Sequence, residues 1–164
     1  MEAVVASVVA VVGTLLGSGI THVFQQRASD RSERFAREER LRQERIDAYC
    51  AYAGALLDYR RVLVHRWFVV NETDENGATD AGRCGEDSPE LREEVYKSRY
   101  TAQEAMFRAQ MVSDDPEILD RSERVLSEVT ELHWVRGREA LTALRGTTRE
   151  EIRGFVAATS HVVR

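Results

Sequence analysis

The chain has 164 residues, 31% of them charged, and a formal net charge of −5 at pH 7. That balance excludes non-specific DNA binding, which needs a basic face to displace counterions from phosphate. The two cysteines, Cys50 and Cys84, share no ligand or disulfide spacing and are read as free thiols.

The first element is Ala3 to Phe24, AVVASVVAVVGTLLGSGITHVF, a run without Asp, Glu, Lys or Arg. A bilayer core needs roughly 20 apolar residues, so residues 1–24 are expected to form a transmembrane anchor. Its Val, Leu, Ile and Phe residues supply on the order of −3 to −6 kcal/mol of insertion free energy, which Gly, Ser and Thr partly offset. A secretory signal peptide would want a basic start and an A-x-A-like cleavage site, whereas the chain opens Met1-Glu2. Arginines follow the run, beginning with Arg27, Arg31 and Arg34. By the positive-inside rule the expected location is the cell membrane, single-pass, with the N-terminus out and the C-terminal domain cytoplasmic. The same arginines can touch anionic lipid. Ala6, Ala10, Gly13, Gly17 and Thr21 form a stripe of small residues on the anchor. Two readings stand: a homodimer formed by close approach of two anchors, or the ordinary Gly and Ala content of membrane helices.

Residues 25–45 contain neither Gly nor Pro and carry acid-to-base pairs at i, i+4, such as Glu33–Arg37 and Glu38–Arg42. Each such pair adds perhaps 0.2–0.5 kcal/mol to a helix. Apolar positions are too few to sustain a heptad, so this stretch is expected to be a charged, solvated helical stalk about 35 Å long.

Residues 46–164 read as a bundle. From Ile46 to Val70, Ile46, Tyr49, Cys50, Ala53, Leu56, Leu57, Leu63, Val64 and Trp67 recur at helical spacing and are expected to form the buried face. Tyr52, Tyr59, Arg60 and Arg61 border it. They are read as rim positions of a bundle helix, although Tyr and Arg also favour interfaces. Residues 71–88 form an acidic loop with no apolar periodicity and are expected to be disordered; their acids miss the calcium-loop register. Ser88-Pro89 and Asp115-Pro116 each give a cap followed by a first-turn proline. They open helices whose seams are Leu91, Val95, Ser98, Ala102, Ala105, Ala109 and Val112, then Ile118, Ser122, Val125, Val129 and Leu132. Gly137 is read as the stop of the second of these. Overlapping capping boxes at Thr147 and Thr148, with Glu150 and Glu151, are read as the start of a last helix using Ile152, Phe155, Val156, Thr159 and Val162. The expected fold class is all-α: one membrane span, a helical stalk and an antiparallel bundle of about four helices.

No reaction emerges from these residues. His22, His65, His133 and His161 lack metal spacing, and Cys50 and His65 lie roughly 22 Å apart along one helix, too far to act as nucleophile and base. Phosphate-binding and hydrolase motifs are absent. We therefore expect no enzyme activity, no catalytic residues, no metal, no cofactor, no small-molecule substrate and no direct nucleic-acid contact.

EAVVASVVAVVGTLLGSGITHVFQQR, the stalk with LRQERIDAY, and YAGALLDYRRVLVHRW resemble the small actinobacterial proteins named KilB. The likeness is clearest from Glu2 to Trp67. It implies a membrane-associated protein concerned with the spread of conjugative plasmids between mycelial compartments of Streptomyces. The preference for Arg over Lys, with Lys97 the only lysine, agrees with a GC-rich genome. Two classes of function follow. One is a membrane-anchored helical partner of other membrane or transfer proteins in plasmid transfer; the other is a membrane-tethered adaptor or regulator unrelated to plasmids.

Overall fold

The computed structural model describes the backbone of residues 2–71 and 87–162, with side chains described at residue 29 and over 31–71 and 87–162. The fold is all-α, with α1 at Glu2–Asn71, α2 at Pro89–Met111, α3 at Pro116–Glu131 and α4 at Arg138–Val162. The chain divides into two units, Met1–Arg42 and Gln43–Arg164. The expected membrane span, its stripe of small residues (Ala6, Ala10, Gly13, Gly17, Thr21) and Arg27 lie outside the described side chains. Among the described residues no helix is long and apolar enough to cross a membrane.

In the first unit the described side chains from Arg31 to Arg42 are all exposed, Phe35 and Leu41 among them. Arg42 pairs with Glu39 at 3.6 Å. Such an exposed pair adds little stability, so this part of α1 rests mainly on helix propensity.

The second unit holds the core. Along α1 the buried seam is Tyr49, Tyr52, Leu56, Tyr59, Leu63 and Trp67, a run of three- and four-residue steps. Two expectations are corrected here. Tyr52 and Tyr59 are fully buried members of the seam rather than its rim, whereas Cys50 and Leu57, expected inside, are exposed. The physical reason is that a buried phenol is tolerated once its hydroxyl finds an acceptor. The Tyr52 hydroxyl donates to the Ser122 carbonyl oxygen at 2.6 Å, and Phe155 meets the Tyr52 ring edge-on at 5.1 Å. Burial also pushes the Tyr52 phenol pKa well above its ordinary value.

Helices α2 and α3 begin as their caps predict. Ser88 Oγ accepts from the Leu91 backbone N–H at 3.1 Å and Asp115 Oδ1 from that of Glu117 at 2.9 Å. Leu91, Val95, Ala102 and Ala109 are buried on α2, joined by Met106, and Ile118, Ser122, Val125 and Val129 on α3. Arg45, assigned to the stalk by sequence, donates from Nε to the Val112 carbonyl at 2.9 Å and so ties α1 to the end of α2. Of the acidic loop, residues 72–86 lie outside the described residues, while Asp87 and Ser88 hold defined contacts described below.

The last helix departs from expectation twice. Gly137 does not terminate α3, which ends at Glu131; it precedes α4 with a φ of 86°, and its carbonyl accepts from the Leu141 N–H at 3.1 Å. The capping boxes are not used. Thr147 and Thr148 sit inside α4, their hydroxyls donating back to the Ala143 and Leu144 carbonyls at 3.3 and 2.9 Å. A threonine hydroxyl can be satisfied by the preceding turn of a helix as well as by a cap, and Leu141 on the inner face lets burial extend the helix through the ambiguous stretch.

Two contrasts test this account. Tyr52→Phe removes a buried hydrogen bond and is expected to cost about 1 kcal/mol. Tyr49→Phe removes a buried hydroxyl that has no partner among the described residues, and is expected to be neutral or slightly stabilising. Urea unfolding of the two variants against wild type measures both. Among glycines, Gly146→Ala fills open space within α4 and should stabilise by about 0.5–1 kcal/mol. Gly137→Ala, at positive φ, should destabilise by roughly 1 kcal/mol. Thermal melts should therefore move in opposite directions.

Candidate interaction surfaces

Two surface features of the bundle stand apart from its packing. The first is a cleft of about 360 Å³ where the end of α1 meets the turn after α3, lined by Leu63, Arg66, Trp67, Leu132, His133 and Val135, among others. Trp67 Nε1 donates to the Val135 carbonyl at 3.1 Å, which fixes the turn against α1. Arg66 grips Asp87 in a two-pronged fork, Nε to Oδ1 at 2.9 Å and Nη2 to Oδ2 at 2.8 Å. The planar guanidinium matches the carboxylate in this geometry, the strongest form of the pair. It holds the Asp87 carboxyl below the usual range, and Asp87 in turn raises Arg66. His133 packs edge-on against Trp134, ring centroids 4.4 Å apart. Its pKa is lowered, first by burial and then by the nearby Arg66.

The second feature is the outer face of α2. Tyr96, Tyr100, Phe107 and Met111 are 70, 77, 50 and 80% exposed. At 100° per residue they fall within one narrow row, on the side of α2 opposite Leu91, Val95, Ala102 and Ala109. This helix is therefore apolar on two sides, one inward and one outward. The row was not singled out in the sequence, where the inner seam claimed the attention. Its signal was available as large apolar side chains at i, i+4, i+11 and i+15.

The other residues singled out by sequence scatter. Arg31 and Arg34 are exposed. Arg60 is half-buried at the rim of the bundle, as expected, donating to Thr148 Oγ1 at 3.0 Å and the Arg145 carbonyl at 2.8 Å; burial and the neighbouring Arg145 and Arg149 lower its pKa. Arg61 bridges Asp58 at 3.2 Å and Glu94 on α2 at 3.7 Å. Tyr52, Tyr59, Arg60 and Arg61 thus do not make a common surface. Among the described residues no three His, Cys, Asp or Glu side chains are grouped to hold a metal.

The arrangement offers surfaces for contact, and the comparison with known families gives them a context. The model of the KilB plasmid transfer protein family matches residues 46–163. The chain belongs to this family. The match covers the helical bundle, whereas the resemblance seen in the sequence was placed chiefly on Glu2 to Trp67, because the apolar and arginine-rich opening is the more conspicuous pattern. In this KilB family member both the cleft and the outer face of α2 lie within the matched residues. No curated protein and no solved structure matches the chain.

The cleft gives a pH prediction. Asp87 has a lowered folded pKa, so its contribution is present above the ordinary carboxylate value of about 3.9 and is lost as pH falls from there through the lowered folded value. His133 favours its neutral form, so its contribution is lost as pH falls below about 6.5. Asp87→Asn should cost on the order of 1 kcal/mol at pH 7 and flatten the stability curve below pH about 4. His133→Gln should flatten it below about pH 6.5. Denaturant titrations across that range measure both.

Proposed function

We propose that this KilB family member is a membrane-anchored, non-enzymatic helical protein that assists intercellular transfer of conjugative plasmids through protein–protein contact. The observation that carries the contact reading is the outward row Tyr96, Tyr100, Phe107 and Met111, which lies within the residues matched by a family named for plasmid transfer. Aromatic residues and Met are the types enriched in the cores of protein interfaces. A contiguous apolar patch of a few hundred Å² on a small domain marks an interaction site more often than chance exposure does. Support for the anchor is the charge-free run Ala3 to Phe24 followed by Arg27, Arg31 and Arg34. In this reading the span holds the bundle at the cytoplasmic face of the membrane and partners are recruited there. DNA is handled by those partners, because the chain's net charge of −5 offers little attraction for phosphate.

The test uses a host carrying a conjugative plasmid, with the gene deleted and then restored. Wild type should restore the transfer frequency. Tyr100→Asp with Phe107→Asp should leave it at least tenfold lower, at equal protein level and equal recovery in the membrane fraction. Unchanged transfer on deletion would overturn the transfer role. Recovery of wild type in the soluble fraction, or activity of an export-dependent reporter fused after Arg164, would overturn the anchor and its orientation.

A further inference from the structure

The outer face of α2 also carries information about what covers it. Four large side chains at 50–80% exposure present roughly 400–600 Å² of surface, since each aromatic side chain offers 150–250 Å² in full. Doubled across two identical surfaces this reaches about 1,000 Å², the least that a specific interface needs. The polar borders of the row differ from one another. On one side stand Arg92 and Arg99; on the other stand Glu93 and Glu104, with Lys97 between them along the helix, and Gln103 falls beside Tyr96 at the edge of the row. Arg99 and Glu104 have no ion-pair partner among the described residues, while Arg92 reaches only to Asp87 at 4.0 Å.

From this asymmetry we infer that the surface pairs with the same surface of a second copy, with the two α2 helices running parallel. In a parallel two-fold pair the border with Arg92 and Arg99 faces the border with Glu93, Lys97 and Glu104. This places Arg99 beside Glu104 of the second copy and Arg92 near its Lys97, so that Arg99 and Glu104 carry the attraction. This is the flanking-charge arrangement that sets orientation in parallel helix pairs. An antiparallel pair that sets Tyr100 against Phe107 would instead bring the two Glu104 carboxylates level with each other and leave Arg99 without its acidic partner, at a cost in like-charge repulsion. In the parallel pair Tyr96, Tyr100 and Phe107 each stack on their own counterparts. The Gln103 amides, midway along the row, can hydrogen-bond to one another and hold the register, as a lone polar layer does in helix pairs. An isologous contact of this kind closes on itself and needs no further subunit. The inference rests on the reading of this face as a contact surface and names the partner as self.

Position-specific disulfide trapping in the full-length, membrane-inserted protein tests it, with Cys50 and Cys84 replaced by Ser. Phe107→Cys should cross-link to itself under mild oxidation at a yield at least tenfold above Ala143→Cys, an exposed control on α4. Arg99→Glu added to Phe107→Cys should lower that yield several-fold, and adding Glu104→Arg as well should restore it. A Phe107→Cys yield no higher than the control overturns the inference. So does preferential cross-linking of co-expressed Tyr100→Cys and Phe107→Cys chains to each other, which would signal an antiparallel pair. All these positions are exposed, so the variants are expected to fold, and equal thermal melts check this. Plasmid transfer separates the inference from the reading beneath it. If Tyr100→Asp with Phe107→Asp lowers transfer but Phe107→Cys never cross-links, a different protein occupies the face. If self-cross-linking follows the charge swap while transfer ignores the aspartates, the pairing stands and the role of the face in transfer falls.

Discussion

Ser122 is the point at which the bundle is tied. Its carbonyl accepts the Tyr52 hydroxyl from α1, and its own hydroxyl accepts from Gln110 Nε2 of α2 at 3.0 Å while donating to the Leu119 carbonyl at 2.7 Å. Phe155 of α4 closes the cluster with its ring edge against Tyr52. Three helices therefore converge on one small polar residue that is itself buried, and the fourth packs against the tyrosine bonded to it. A polar atom taken out of water costs free energy unless it is paired, so these bonds act as a condition on the packing: only one register of α1 against α3 satisfies the Tyr52 phenol. Apolar side chains alone would accept several neighbouring registers with little loss.

A second constraint acts at the end of α1. The fork between Arg66 and Asp87 fixes the residue that immediately precedes the Ser88 cap, so α2 starts from a held position. Trp67 does the corresponding job for the turn that leads to α4. Together they give the cleft its shape, and they make adjacent residues on one helix serve two different connections.

Much of this was legible in the sequence, for identifiable reasons. Cap-plus-proline signals are local, involving a side-chain oxygen and the next turn only, and both were read correctly at Ser88 and Asp115. The α3 seam was also clear, because its apolar residues are aliphatic and its outer face is charged. Where reading failed, a residue had two physically acceptable roles. A tyrosine can border a core or sit within it, and the choice for Tyr52 depended on a carbonyl 70 positions away in the chain. A threonine can cap a helix or bond back within it, and Thr148 was decided by Leu141 and by Arg60 from another helix. The outer row of α2 competes with the inner seam, because large apolar residues on both sides of one helix blur the amphipathic pattern that marks a buried face.

The threonines of α4 bear on how the bundle holds together. Thr142, Thr147, Thr148 and Thr159 each return their hydroxyl to a carbonyl of the preceding turn, and Gly146 and Gly154 lie among them. The Gly146-Thr147-Thr148 segment has weak intrinsic preference for the helix, and hydroxyls that compete for backbone carbonyls weaken it further. Its helical form is underwritten from outside, by Arg60 reaching across to the Arg145 carbonyl and by burial of Leu141, Ile152 and Phe155. Contacts from α1 and burial of the inner face thus hold the helix continuous across its weakest turn. Loss of the Arg60 contact would then be felt first at this turn, as a break within α4 rather than at its ends.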